Sequence, residues 1–296
     1  MNFQLIKESV KPKVKNAKET FYLLNKNRLS QIALYVLLLI VLLAILAPVI
    51  VPHPEHIADE ADMAHKFVAP CAEYPFGTDE LGRDIFSRVI YGARVSISTA
   101  LLAVVLALVI GVPLGAIAGT TGGIVDEVIM RITDIFLSFP PLLLAIAMVS
   151  IMGPSINNAI IAIAASWWPW YTRLVRGQAI SLKERKFVQA AETIGTPKSK
   201  IVFKHIIPNT ISPVIVQASM DMGGVILTIA SLSFLGLGAQ APTPEWGLMI
   251  STGRNYFPDV WWYSIFPGLA IFVTVLSFNL LGDSIREILD PKTRKK

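Results

Sequence analysis

Charge is scarce in this chain. Only 16% of its 296 residues are Asp, Glu, Lys or Arg, while 53% are hydrophobic; a soluble domain carries about a quarter charged residues. That shortfall excludes a water-soluble globular domain, and a mean hydropathy of +0.58 points the same way. Cysteine is scarcer still. Cys71 stands alone, which excludes an intrachain disulfide framework and a thiol-rich metal site. None of the four histidines falls inside an apolar run, and neither HExxH nor GxSxG occurs, so an intramembrane hydrolase would lack its ligands or its nucleophile. No GxxxxGK[ST] is present, so the chain itself binds no ATP in the Walker manner. The pI is near 9.3, but the cations flank apolar runs, the pattern of membrane orientation rather than of nucleic-acid binding.

What the chain has in quantity is long apolar runs. Gln31–Val51 is nearly uninterrupted, and a span needs ~20 such residues at 1.5 Å rise. It lies too far from the start, and is too long, for a cleaved signal peptide. Further runs follow at about Val95–Ala118, Ile129–Met152, Asn157–Ile180, Ile211–Leu235 and Ser264–Leu289. The expectation is an all-α polytopic membrane protein with six transmembrane helices. Its parts are a basic segment at 1–30, the first span at 31–51, an external loop at 52–91, a core at 92–289 with a polar loop at 184–209, and a basic tail at 290–296. With both termini in the cytoplasm, nineteen Lys and Arg fall in cytoplasmic segments and four in external loops, as the positive-inside rule requires.

Within the spans, four features are informative. Gly111, Gly115 and Gly119 cluster near one another and predict close helix packing. Pro140-Pro141 removes backbone bonds that a spanning helix needs, so a break there must be buried in protein or line a cavity. Trp167, Trp168, Trp170 and Tyr171 precede Arg173 and Arg176 and read as an interfacial aromatic belt. Asp221 lies ten residues into its run, ~15 Å deep, where a carboxylate faces a cavity or a partner; it is the candidate for the translocation path, with a buried hydrogen bond to a neighbouring helix as the alternative.

The external loop at 52–91 holds His53, His56, His65 and Cys71 among acids, read here as scattered polar loop residues and not as a metal site. In Phe76–Arg94, FGTDELGRDIFSRVIYGAR, Thr78 or Asp79 is expected to cap a helix, and the Asp/Arg pairs to satisfy each other at the surface. Ser231–Gly247, SLSFLGLGAQAPTPEWG, ends in a Pro-rich stretch expected to be an external loop.

The polar stretch Phe187–Asn209, FVQAAETIGTPKSKIVFKHIIPN, is set between two spans. Phe187, Val188, Ala190, Ala191 and Ile194 recur at helical spacing. Gly195 supplies a stop, Thr196-Pro197 opens a second helix in N-cap and N1 order, and Pro208 is expected to end it. Residue chemistry by itself leaves two readings open: an amphipathic connector lying on lipid, or a docking elbow.

Two alanines, a glycine four residues after the second, nine more residues and then His-Ile-Ile-Pro-Asn together resemble the EAA loop of ABC-importer permeases. The two longer motifs, around residues 76–94 and 231–247, resemble the peptide/nickel branch, which includes oligopeptide and dipeptide permeases. The resemblance covers nearly the whole chain. It implies a type I ABC importer permease fold and a non-catalytic subunit with no cofactor. It implies transport of di- or oligopeptides, with nickel or another metal chelate as the alternative cargo. The implied partners are a second homologous permease subunit in a heterodimer, two ABC ATPase subunits, an extracytoplasmic solute-binding protein and membrane lipid. Carried onto this sequence, the ATPase-docking residues are Gln189, Ala190, Ala191, Glu192, Gly195, Pro197, His205 and Pro208. Two departures stand out. The family's leading Glu is Gln189 here, and many members carry an acid where this chain has Ile229.

Overall fold

The computed structural model describes residues 28–57 and 60–289. The basic segments at both ends therefore lie outside the described residues, except for the last few of the first. Among the described residues no strand forms; one isolated bridge joins Thr78 and Asp84. The helices are α1 (Arg28–Ile50), α2 (Ile85–Thr121), α3 (Gly123–Leu137), α4 (Pro141–Met152), α5 (Ile156–Lys183), α6 (Lys186–Thr193), α7 (Lys198–Ile201), α8 (Ile207–Phe234), α9 (Trp246–Gly253) and α10 (Trp262–Leu289).

Helix α1 is apolar all round, so periodicity alone cannot say which side it buries. The buried side is a stripe of mostly small residues: Ser30, Ala33, Leu37, Ala44 and Ala47. Helix α2 begins ten residues before the expected span. Neither Thr78 nor Asp79 caps it. Asp84 does, its carboxylate accepting from the backbone N–H groups of Phe86 at 3.2 Å and Ser87 at 2.9 Å. Asp79 is committed elsewhere, to the N–H groups of Leu81 and Arg83 and to Arg83 Nε at 2.7 Å.

The glycine expectation holds in detail. A Cβ on Gly111, Gly115 or Gly119 would lie 2.4–2.6 Å from the backbone oxygens of Trp168, Thr172 and Arg176 respectively. Three glycines at helical spacing thus form a seam along which α2 and α5 touch backbone to backbone.

The run expected as a third span is broken. Helices α3 and α4 meet at 87° across Ser138–Pro140, because Pro140 and Pro141 cannot donate to the preceding turn. Among the described residues, four helices are long and apolar enough to cross a membrane, or five if this bent pair counts as one. Helix α5 is long enough at 28 residues, but its second half carries Arg173, Arg176 and Lys183.

One end of the molecule is a buried polar cap in which two of the long motifs meet. Asp79, Arg83 and Arg88 are at most 4% exposed, so the Asp/Arg pairs are interior, not at the surface as expected. Arg88 reaches the carbonyls of His56 and Pro242, each at 3.0 Å. Trp246 Nε1 donates to the Val89 carbonyl at 2.9 Å, and Ser96 Oγ to Glu245 at 3.1 Å. Glu245 also caps α9 through the Leu248 N–H. Burial pushes the Glu245 carboxyl above its ordinary range, opposed by the N–H groups of Gly247 and Leu248. Trp246 and Trp262 are themselves buried; the stretch between Trp246 and Trp261 contains α9 and a 3-10 turn at Arg254–Tyr256.

Candidate functional site

The stretch around 184–209 folds as an elbow. Helix α6 ends in a Schellman turn: Gly195 N–H donates to Glu192 O at 2.9 Å and Thr196 N–H to Ala191 O at 3.0 Å. Gly195 takes φ +75°, which only glycine adopts without strain. The second helix starts one residue later than expected, with Pro197 at the N-cap position and Lys198 first in the helix.

Pro208 does not end that helix. Residues Val202–Ile206 form a π turn, Ile207 N–H reaches back to Val202 O, and Pro208 sits in the first turn of α8. The wider turn takes up the missing proline N–H and its ring. Asn209 Nδ2 donates to the His205 carbonyl at 2.6 Å. The second helix of the elbow and α8 therefore form one continuous helical element, Lys198–Phe234.

One side of the elbow is anchored. Val188, Ile201, Val202 and Ile206 pack with Ala116 of α2, Val175 and Ala179 of α5 and Val214 of α8. The paired alanines split: Ala191 is buried and Ala190 exposed. Gln189, Glu192, Gly195, Pro197 and Pro208 are exposed as well, and His205 is half-buried with its ring 6.3 Å from Phe187. Three large apolar side chains on this surface also face outward: Phe187, Phe203 and Ile194, the last 82% exposed.

Beside the elbow, α3 is clamped to α5. Arg176 pairs with Asp126 through Nε at 2.6 Å and Nη2 at 2.7 Å, and Arg173 with Asp134 at 2.6 Å. Sequence reasoning assigned those arginines to a belt and missed the pairing. The signal was available: Asp126 and Asp134 are eight residues apart, and Arg173 and Arg176 three, so each pair shares a helix face. The belt reading is corrected too, since Trp168 and Tyr171 are buried in the core, whereas Trp170 is exposed.

Asp221 accepts from Gln217 Nε2 at 3.0 Å on its own helix. The Tyr171 hydroxyl of α5 faces the carboxylate, yet neither that hydroxyl nor Asp221 Oδ2 has a well-formed partner. A buried hydroxyl and a carboxylate oxygen without a well-aligned partner are costly to the fold. Gly223, two residues on, packs against Asn279 of α10. Ile229 is buried in the central core.

In the loop between α1 and α2, His53, Glu55 and His56 bring their ligand atoms within 4.8 Å of one another. His65 and Cys71 are not in that group. His56 Nδ1 already accepts the Asp84 N–H at 3.1 Å, so in the neutral ring the proton is on the other nitrogen. The Pro54–Ile57 turn is fastened by this bond and by His53 N–H to Ser87 Oγ at 3.1 Å.

The elbow, its anchored core and the glycine seam lie within the part of the chain that matches a family model. The model described as binding-protein-dependent transport system inner membrane component spans residues 111–295. The chain belongs to that family. A second model, the N-terminal TM domain of oligopeptide transport permease C, matches residues 17–70 of this inner membrane component. It is 46% identical over 277 residues to the dipeptide transport system permease protein DppC of Alkalihalophilus pseudofirmus, covering 94% of this chain and 90% of that one. It is 44% identical over 281 residues to the probable D,D-dipeptide transport system permease protein DdpC of Escherichia coli, covering 95% and 93%. To the glutathione transport system permease protein GsiD of Shigella flexneri it is 46% identical over 262 residues, covering 88% and 86%. A chain of the MetNI methionine ABC transporter in an inward-facing conformation shares its fold, with a TM-score of 0.53 at 19% identity over 68% of this chain and 96% of that one. The inner membrane component thus has the type I ABC importer permease fold and passes the membrane several times.

Proposed function

We propose that this permease component forms half of the path of an ATP-driven importer for di- or oligopeptides. In this reading it pairs with a second, related permease subunit. Two ATPase subunits bind on the cytoplasmic side, and a solute-binding protein delivers cargo outside. The membrane is crossed six times, by α1, α2, the broken pair α3–α4, α5, α8 and α10, with both termini in the cytoplasm. Peptide cargo is favoured by the names of the relatives, which transport dipeptides and glutathione.

The observation that carries the proposal is the two-sided elbow. Its inner side is held by the core at Val188, Ile201 and Ile206, while Phe187, Ile194 and Phe203 present apolar surface among lysines. Those residues, with Gln189, Ala190, Glu192, Gly195, Pro197, His205 and Pro208, form the surface that an ATPase groove receives. Closing of the ATPase pair on ATP pushes the elbow. The push passes into α8, which has no break between Pro208 and Asp221, a length of ~20 Å. Coupling of this kind needs a rigid element that both sites bias. Asp221 and Tyr171 then lie where the lever meets α5, on the path side of the bundle.

The test is ATP-dependent uptake by the reconstituted complex, with labelled dipeptide, oligopeptide and nickel chelate compared. Peptide uptake is expected, and uptake of nickel chelate alone transfers the assignment to the other cargo. Asp221→Leu is expected to lower uptake at least ~10-fold with assembly intact, since intramembrane carboxylates mark transport paths. Unchanged uptake removes Asp221 from the path.

A further inference from the structure

A groove of about 260 Å³ runs between the first two spans. Val41, Ala44 and Ile45 of α1 form one wall, and Arg94, Ile97 and Leu101 of α2 the other. The flanks of both helices here are apolar and open: Ile45 and Leu101 are more than half exposed, and Val49 and Leu102 continue the surface.

Arg94 is the anomaly. It is exposed, and among the described residues it makes no ion pair or hydrogen bond. The other described arginines in this half of the molecule are committed. Arg83 and Arg88 are buried in the cap beside Asp79, and Arg254 lies over the Phe234 ring at 4.7 Å. Arg94 stands nine residues into α2, ~14 Å from its capped start. A lone guanidinium on an apolar helix flank costs a few kcal/mol unless it reaches an interface or a counter-charge. Its stem can run along the groove while the head turns towards the membrane surface.

We propose that this groove seats one anionic glycerophospholipid of the outer leaflet. An acyl chain lies between Ile45 and Ile97, and the Arg94 fork grips the headgroup phosphate. The planar guanidinium matches a phosphate bidentately, which an ammonium does not. The missing counter-charge selects an anionic headgroup over a zwitterionic one. The lipid covers the open wall at Val41, Ile45 and Leu101, and so cements α1 to the core. This proposal rests on the reading that α1 and α2 cross the membrane, and on nothing about cargo.

The experiment is native mass spectrometry of the whole transporter, purified from membranes containing phosphatidylglycerol and phosphatidylethanolamine. Wild type is expected to retain one phosphatidylglycerol per copy of this chain. Arg94→Leu is expected to weaken retention about fivefold, as loss of one basic contact to anionic lipid does, and Arg94→Lys to give an intermediate loss. Ile45→Trp, at an exposed position of the groove wall, fills the groove with the arginine intact and is expected to abolish retention too, which keeps the test valid if an Arg94 variant assembles poorly. Equal retention in Arg94→Leu and wild type overturns the proposal. So does equal retention of phosphatidylethanolamine, or crosslinking of Ser98→Cys to the second permease subunit instead of to lipid. Uptake of peptide plays no part in the readout, so failure here is distinct from failure of the transport reading.

Discussion

Two residues test the backbone and the buried charge separately. Gly195 has open space around it, with no atom within 4 Å of an added Cβ, so any substitution is penalised by its φ of +75° alone. Gly195→Val is expected to cost ~1–3 kcal/mol locally and to reorient α6 against α7. Insertion and folding of the spans should survive while co-purification of the ATPase falls; normal co-purification would remove this turn from the docking surface. Glu245 is wholly buried, and its carboxyl titrates above its ordinary 4.5. A raised folded-state value means the folded protein holds this proton more tightly. The stabilisation is complete below the unfolded value and is lost as pH rises through the folded one. Glu245→Gln still offers an oxygen to the Leu248 N–H but cannot ionise. The melting temperature of wild type, measured by intrinsic fluorescence, is expected to drop relative to Glu245→Gln as pH climbs above 4.5; parallel curves would show that the charge is matched in both states. Gly195 was legible because a left-handed stop is a local property of the chain. Glu245 was not: its cap on the Leu248 N–H is local, but its burial and its contact with Ser96 bring in a helix 149 residues away.

At the scale of elements, the seam between α2 and α5 is the most exacting contact. A methyl on Gly115 would sit 2.4 Å from the Thr172 backbone oxygen, and backbone cannot swing aside as a side chain can. Gly115→Ala is expected to destabilise by ~1–3 kcal/mol and Gly115→Leu to prevent assembly, read as loss of a monodisperse peak in detergent. Gly122→Ala, outside the seam and with no atom in the way, is the comparison for backbone strain alone. The break at Pro140-Pro141 could be foreseen, since proline acts on its own turn. The 87° angle could not, because the Arg176–Asp126 and Arg173–Asp134 pairs tie α3 to α5 across about forty to fifty residues. The continuity of α7 with α8 was misread for a related reason: proline stops a helix only if the hydrogen-bond register stays fixed, and the π turn at Val202–Ile206 shifts it.

For the whole molecule, the prediction is one of sidedness. In intact cells, a cysteine placed at exposed Lys198 should stay hidden from an impermeant maleimide, in a Cys71→Ser background, and native Cys71, which is exposed, should react. Labelling of position 198 from outside would invert the orientation and end the docking proposal. The sequence by itself determined that the chain is helical, lies in a membrane and carries a polar elbow, because run length, scarcity of charge and turn residues act over a few neighbours at a time. Only the tertiary structure decided which face of α1 is buried, which acids the arginines meet and that the motifs around residues 76–94 and 231–247 close into one cap. Those outcomes depend on surfaces far apart in the chain, and a uniformly apolar helix or a lone charge does not say which neighbour will cover it.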